Sequence, residues 1–229
     1  MKLILFDIDG TLVNVRSEVT RNAIRQVLAT VLDHHDDLGE VELHGKTDRQ
    51  IMLELCQIVG CAGDAALANV EPMTDVLLAH WERHLSSETV ELLPGVGDLL
   101  ERLSNTEGVA LGLLTGNLER AARMKLAPHD LNRYFPFGSF GSDAVRREDL
   151  PPIALGRANG LGDERFSYER TMIIGDSHRD IACARAWGIR ALAVATGGMS
   201  ADELRLHSPD GLCESLLESE YIFEFIDGE

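Results

Sequence analysis

The sequence has few cysteines, little positive charge and no long apolar run, and each shortage narrows what the protein can be. Its four cysteines, Cys56, Cys61, Cys183 and Cys213, show no C-x-x-C spacing and sit among apolar or helix-forming neighbours. They read as reduced structural thiols. Basic residues number 21 against 38 acidic ones, a formal net charge of −17. That field repels polyanions, and no local basic patch offsets it, so nucleic acid and anionic membrane surfaces are excluded as partners. No segment approaches the roughly 20 apolar residues needed to span a bilayer. The opening Lys2-Leu3-Ile4-Leu5-Phe6 meets Asp7 and Asp9 at once, too short an apolar stretch for a secretory signal, so a cytoplasmic location is expected. Low-complexity tracts and internal repeats are absent too, which argues against extended disorder.

What is present is 229 residues, 45% of them apolar, enough for one large domain or a domain carrying an insertion. Four apolar runs end in polar or small-residue turns: residues 3–6 before Asp7, 109–114 before Thr115, 171–174 before Gly175-Asp176, and 191–195 before Thr196-Gly197-Gly198. Each reads as a buried strand, and helix-compatible segments follow the first three. Residues 137–140 offer a fifth strand. This alternation predicts an α/β fold with a doubly wound parallel sheet covered on both faces.

Between Asn14 and Leu93 the rhythm breaks, with helical patterns and no convincing strand. Ile24, Val27, Leu28, Val31 and Leu32 form one apolar stripe. Ile51, Leu55 and Val59 form a second, led by Thr47 and Gln50 at capping-box spacing. Met73, Val76, Leu77, Trp81 and Leu85 form a third. The expected division is therefore a core of residues 1–14 and 93–229 and an inserted α-helical cap of residues 15–92, with Leu93-Pro94-Gly95 as the return. Parallel sheets place ligands at the carboxyl ends of their strands. Asp7, Asp9, Thr115, Asn117, Asp176 and Asp180 should converge there, with the cap as a lid.

Two carboxylates at the end of a buried strand repel each other unless a cation compensates. Oxygen donors with no His or Cys cluster beside them point to Mg²⁺ rather than zinc. Asp7 and Asp9, at i and i+2 of extended chain, point the same way, so one can attack while the other moves a proton. Thr115-Gly116-Asn117 offers a hydroxyl, an amide and backbone N–H groups at an expected helix start, suited to an anion. Gly175-Asp176-Ser177 with Asp180 adds a metal ligand and its support. Arg146-Arg147, before Asp149-Leu150-Pro151-Pro152, supplies a fixed cation at another helix start.

These residues resemble the haloacid dehalogenase superfamily of phosphotransferases. Asp7-Ile8-Asp9-Gly10-Thr11-Leu12 is similar to its first motif, Thr115-Gly116-Asn117 to its second, and Gly175-Asp176-Ser177-His178-Arg179-Asp180 to its fourth. Order and spacing agree, and the helical insertion resembles the C1 cap, closed by Leu93-Pro94-Gly95-Val96. The third motif departs: the family usually has Lys, and alignment on the helix near Pro151 places Arg147 there, with Arg146 and Lys125 as alternative sources of charge. Arg forks two hydrogen bonds and is wider and more rigid than Lys.

The resemblance implies that Asp7 attacks phosphorus to form an aspartyl-phosphate, while Asp9 protonates the leaving oxygen and then deprotonates water. It implies Mg²⁺ held by Asp7, the backbone carbonyl of Asp9 and Asp176, with Asp180 in support. Thr115, Gly116, Asn117 and Arg147 would hold the phosphoryl oxygens. An Asp at position 9 favours phosphate esters over the superfamily's dehalogenases and phosphonatases. A cap like that of the phosphoglycolate phosphatase group suggests a small phosphorylated metabolite as substrate, which Lys46 of Gly45-Lys46-Thr47-Asp48 could reach. The expected activity is a Mg²⁺-dependent phosphatase. Its rivals are a sugar-phosphate mutase similar to β-phosphoglucomutase and a catalytically silent binding module. Neither oligomeric state nor the particular ester follows from the sequence.

Other patterns carry less. His80 and His84 have metal-compatible spacing without the Glu placement of a zinc protease, and are expected on a helix surface, as His34, His35 and His178 are on exposed chain. Gly95-Val96-Gly97 is a turn fragment, and residues 212–229 read as a terminal helix packing its apolar face.

Overall fold

The computed structural model describes residues 1–36, 45–162 and 165–228. Among these residues, eight strands, β1 (Lys2–Phe6), β2 (Val13–Val15), β3 (Val90–Leu92), β4 (Val109–Leu114), β5 (Gly138–Ser139), β6 (Thr171–Gly175), β7 (Arg190–Val194) and β8 (Gly211–Cys213), form two sheets. Six of them lie in the order β5-β4-β1-β6-β7-β8, and every pairing in that sheet is parallel. The chain runs from β1 outward to β5, then crosses back to β6, so the order reverses beside β1, where such sheets open a crevice.

Both faces of the sheet are buried, and alternate residues divide between them, which explains the continuous apolar runs. Ile4, Phe6, Leu111, Leu113, Met172 and Ile174 face a core shared with α4 (Val96–Ser104), α5 (Glu119–Leu126) and α9 (Glu220–Asp227). Leu3, Leu5, Leu114 and Ile173 face the opposite core, with α6 (Leu150–Gly160) and α7 (His178–Arg185). The short helix α8 (Ala201–Arg205) adds Leu204 to that second core. Phe6 is fully buried and meets the Phe135 ring edge-on at 5.8 Å. The strand expected at 137–140 is β5. The terminal segment holds a strand, β8, ahead of its helix α9, a sixth sheet member too short to stand out in sequence.

Among the described residues, three helices, α1 (Ser17–Leu32), α2 (Asp48–Ile58) and α3 (Asp64–His84), lie between β2 and β3. Val27, Leu28, Met52, Leu55, Cys56 and Met73 bury their shared interface. Ala23, Leu78 and Trp81 pack with Ala121 of α5, joining the helices to the sheet domain. Thr47 caps α2 by accepting from the Gln50 N–H at 3.1 Å, but the Gln50 side chain turns to Glu54, so half of the expected capping box forms. The interval is also not free of strands. Val13, Asn14 and Val15 pair antiparallel with Leu92, Glu91 and Val90, a ribbon of three residues on each side that brackets the helices. His80 corrects another expectation: it is buried on α3, stacked 4.1 Å from His84 and hydrogen-bonded to Gln26. No helix among the described residues is long and apolar enough to cross a membrane.

Candidate active site

Asp7 extends β1 by one residue, its N–H donating to the Ile174 carbonyl at 2.9 Å, and this ladder bond fixes the direction of its buried side chain. Asp176 follows β6 immediately, and Asp180 lies in the first turn of α7, where it and Ser177 form a capping box. Oxygens of Asp7, Asp176 and Asp180 all lie within 4.8 Å of one another, and all three residues are buried. The turn after β1 brings the backbone against this group. Gly10 has φ +81°, and a Cβ on it would stand 2.3 Å from Asp176 Oδ2, so position 10 requires glycine on both counts. Thr196, from the turn after β7, secures Gly10 by donating to its carbonyl at 2.7 Å.

Arg147 enters from the turn before α6. Its Nη2 lies 2.9 Å from Asp7 Oδ1 and also donates to Asp180 Oδ1, while Nη1 donates to the Gly45 carbonyl at 3.3 Å. Burial alone would lower the guanidinium's proton affinity, but Asp180 and Asp7 outweigh it and hold Arg147 above the usual range. Of the candidate cations, Arg146 stays on the surface beside Glu148, and Lys125 goes elsewhere. Three carboxylates against one guanidinium leave formal negative charge in a buried place. Burial pushes the Asp7 carboxyl up to about 6 against the pull of Arg147, and burial followed by Asp7 pushes Asp176 to about 8. An all-oxygen, buried, charge-deficient set of this kind fits a hard divalent cation.

Asp9 points away from that group. Its Oδ2 accepts from Asn117 Nδ2 at 2.7 Å, and both its oxygens accept from Lys125 Nζ, at 2.8 and 2.7 Å. If Asp9 contributes to a cation, it does so through its backbone carbonyl. The second strand end departs from expectation. The helix starts at Glu119 rather than at Asn117, and the Asn117 amide is engaged by Asp9 and by Thr115 Oγ1 at 2.9 Å. Thr115 is fully buried, with its N–H on the Ser139 carbonyl.

The segment 45–48 does reach this loop. The Asp48 N–H donates to the Gly116 carbonyl, and Asp48 Oδ2 accepts from the Leu118 N–H, each at 2.8 Å. A Cβ on Gly116 would lie 2.1 Å from the Lys46 carbonyl oxygen, which explains glycine there. The Lys46 ammonium, expected over the substrate, pairs with Glu54 Oε2 at 2.7 Å. Burial pushes Asp48 up to about 6, opposed by Lys125 and the Leu118 N–H. Sequence reasoning missed the roles of Asp48, Glu54 and Lys125, whose partners lie 70, 8 and 116 residues away.

Residues 4–194 match the haloacid dehalogenase-like hydrolase family, and the chain belongs to it. Among curated proteins, a phosphoglycolate phosphatase of Synechococcus elongatus is 26% identical over 218 residues, covering 94% of this chain and 93% of that protein. One from Agrobacterium fabrum is 26% identical over 198 residues, covering 85% and 81%. Among solved structures, CbbY from Rhodobacter sphaeroides in complex with phosphate has the same fold, with a TM-score of 0.74, 19% identity and 96% of each chain covered.

Proposed function

We propose that this hydrolase is a Mg²⁺-dependent phosphatase that cleaves small phosphomonoesters through an aspartyl-phosphate on Asp7. The observation that carries the reading is the meeting of Asp7, Asp176, Asp180 and Arg147 at the carboxyl ends of β1 and β6. Asp7, the Asp9 carbonyl and Asp176 would hold the cation, with Asp180 bracing Arg147 and Ser177. The ion supplies the positive charge that lets one anion approach another. A carboxylate oxygen of Asp7 attacks phosphorus as the ester P–O bond breaks, and Asp9 delivers a proton to the departing oxygen. Water then attacks the phospho-aspartate, Asp9 takes its proton, and the Asp7–phosphorus bond breaks to release phosphate. Arg147, Thr115 and the Gly116 backbone would orient the phosphoryl oxygens, which is most of the protein's work in phosphoryl transfer. Asn117 acts by holding Asp9.

Residues 15–92 would serve as the cap, supported by the contacts of Gly45, Lys46 and Asp48 with the Thr115 loop and Arg147. The curated relatives make 2-phosphoglycolate the first ester to try, with Lys46, whose ammonium pairs with Glu54, as the candidate cation from the cap. Four free cysteines suit a reducing, cytoplasmic setting. Phosphate release from a panel of glycolate, sugar, nucleotide and polyol phosphates, with Mg²⁺ and with EDTA, tests the proposal. Mg²⁺-dependent release that Asp7→Asn abolishes supports it; metal-independent release that survives Asp7→Asn overturns it. Conversion of a sugar phosphate into its isomer without free phosphate would identify a mutase instead.

A further inference from the structure

The buried ammonium of Lys125 is the strongest polar feature near the site that the phosphatase scheme leaves without a task. It projects from α5 with a side chain only 9% exposed and lies 5.5 Å from the centre of the Trp81 ring on α3. An ammonium has three donors. Here they find Asp9 Oδ1 at 2.8 Å, Asp9 Oδ2 at 2.7 Å and Asn117 Oδ1 at 2.6 Å. No donor remains for a phosphoryl oxygen, so Lys125 is not a second phosphate-holding cation beside Arg147. Asp9, by contrast, sits in a turn with its side chain 41% exposed. A carboxylate so placed would sample several rotamers unless something held it.

We propose that Lys125 is the positioning residue for Asp9: by grasping both carboxylate oxygens, with Asn117 donating to one of them, it fixes the direction in which Asp9 exchanges its proton. The proposal rests on the phosphatase reading and deepens it. Proton transfer depends on heavy-atom geometry before anything else, so a carboxylate free to rotate delivers its proton less often. Trp81 gives the ammonium an aromatic face and connects Asp9 with a cap helix. Because an alkoxide must be protonated as it leaves while a nitrophenolate need not be, the two esters report on Asp9 separately.

The test compares the full chain with Lys125→Met, in Mg²⁺, on glycerol phosphate and on 4-nitrophenyl phosphate. On the alkyl ester, kcat should fall about 10- to 100-fold, a large part of what acid–base catalysis supplies, with KM changed less than about threefold. On the aryl ester, the first-turnover burst of nitrophenol should stay within about threefold of wild type, while steady turnover slows because water attack still requires Asp9. Lys125→Arg, which restores charge and donors, should recover part of the loss. A loss of the aryl burst equal to the loss of kcat on the alkyl ester, or no loss on either ester, overturns the proposal. Thermal melting establishes that Lys125→Met is folded; if it is not, Lys125→Gln, with a donor but no charge, takes its place with the same expected and overturning results. A wild-type chain inactive on every phosphate ester, or an Asp7→Asn variant that keeps its activity, overturns the phosphatase reading itself.

Discussion

Arg147→Met offers the most direct probe of the charge arrangement. It keeps a shorter unbranched apolar side chain and removes the guanidinium that touches both Asp7 and Asp180. With both carboxylates and the arginine less than a tenth exposed, the variant strands buried negative charge. Removing one partner of a buried pair costs about 3–5 kcal/mol. For a chain of this length each kcal/mol corresponds to about 2–4 °C, so the metal-free protein should melt roughly 6–20 °C lower. Mg²⁺ should recover part of that loss, since a cation among the carboxylates replaces some of the missing charge. Arg147→Lys is the informative partner: one nitrogen, Nη2, makes both carboxylate contacts, which an ammonium can copy, whereas the Nη1 bond to Gly45 has no equivalent. It should therefore keep most of the stability and lose the contact with Gly45. Differential scanning calorimetry in EDTA and in Mg²⁺ makes the measurement. A Met variant melting within about 2 °C of wild type in EDTA would refute the reasoning, because it would mean that the carboxylates need no counter-charge.

Three further outcomes follow from the same geometry. Asp7 and Asp176 have carboxyls raised by burial, so between about pH 4 and 8 the folded chain keeps protons that the unfolded chain has lost. Metal-free stability should decline as pH rises through that window, and the Mg²⁺-induced rise in Tm should be larger at about pH 8 than at about pH 5; equal shifts at both would contradict it. Asp48→Ala removes the acceptor for the Leu118 N–H, and a lost bond to a charged group of about 1.5–3 kcal/mol should appear as a raised KM with little change in kcat, measured by steady-state kinetics. Gly116→Ala drives a methyl into the Lys46 carbonyl, so overpacking of about 1–3 kcal/mol should lower Tm and raise KM together; a variant with wild-type values of both would show that the loop yields freely.

The strand ends are legible in the sequence because chemistry and burial meet abruptly there. An apolar run that stops at Asp7, Thr115 or Asp176 marks both a sheet edge and the residue presented at it. The ribbon of β2 and β3 is not, since three residues on each side carry no periodicity and the two strands are far apart in the chain, with Val15 pairing to Val90. His80 departs from its expected surface place although its spacing holds the clue: it stands seven residues after Met73 and one before Trp81, on the apolar face of α3. Lys125 and Asp48 cannot be paired from sequence: Lys125 offers itself there only as an alternative cation to Arg147, and its partner Asp9, 116 residues away, shows only in the fold.

That ribbon also sets how the protein can change. Val15 and Val90 face each other across an antiparallel pair, neighbours whose Cα atoms stand about 5 Å apart. The chain between them thus leaves and rejoins the sheet through this paired ribbon. A tight turn can replace residues 16–89, or a differently shaped insert can be grafted in their stead, without rethreading any of the six parallel strands. The part that would choose the ester is then free to diverge while the carboxylates that would cleave it stay where β1 and β6 hold them.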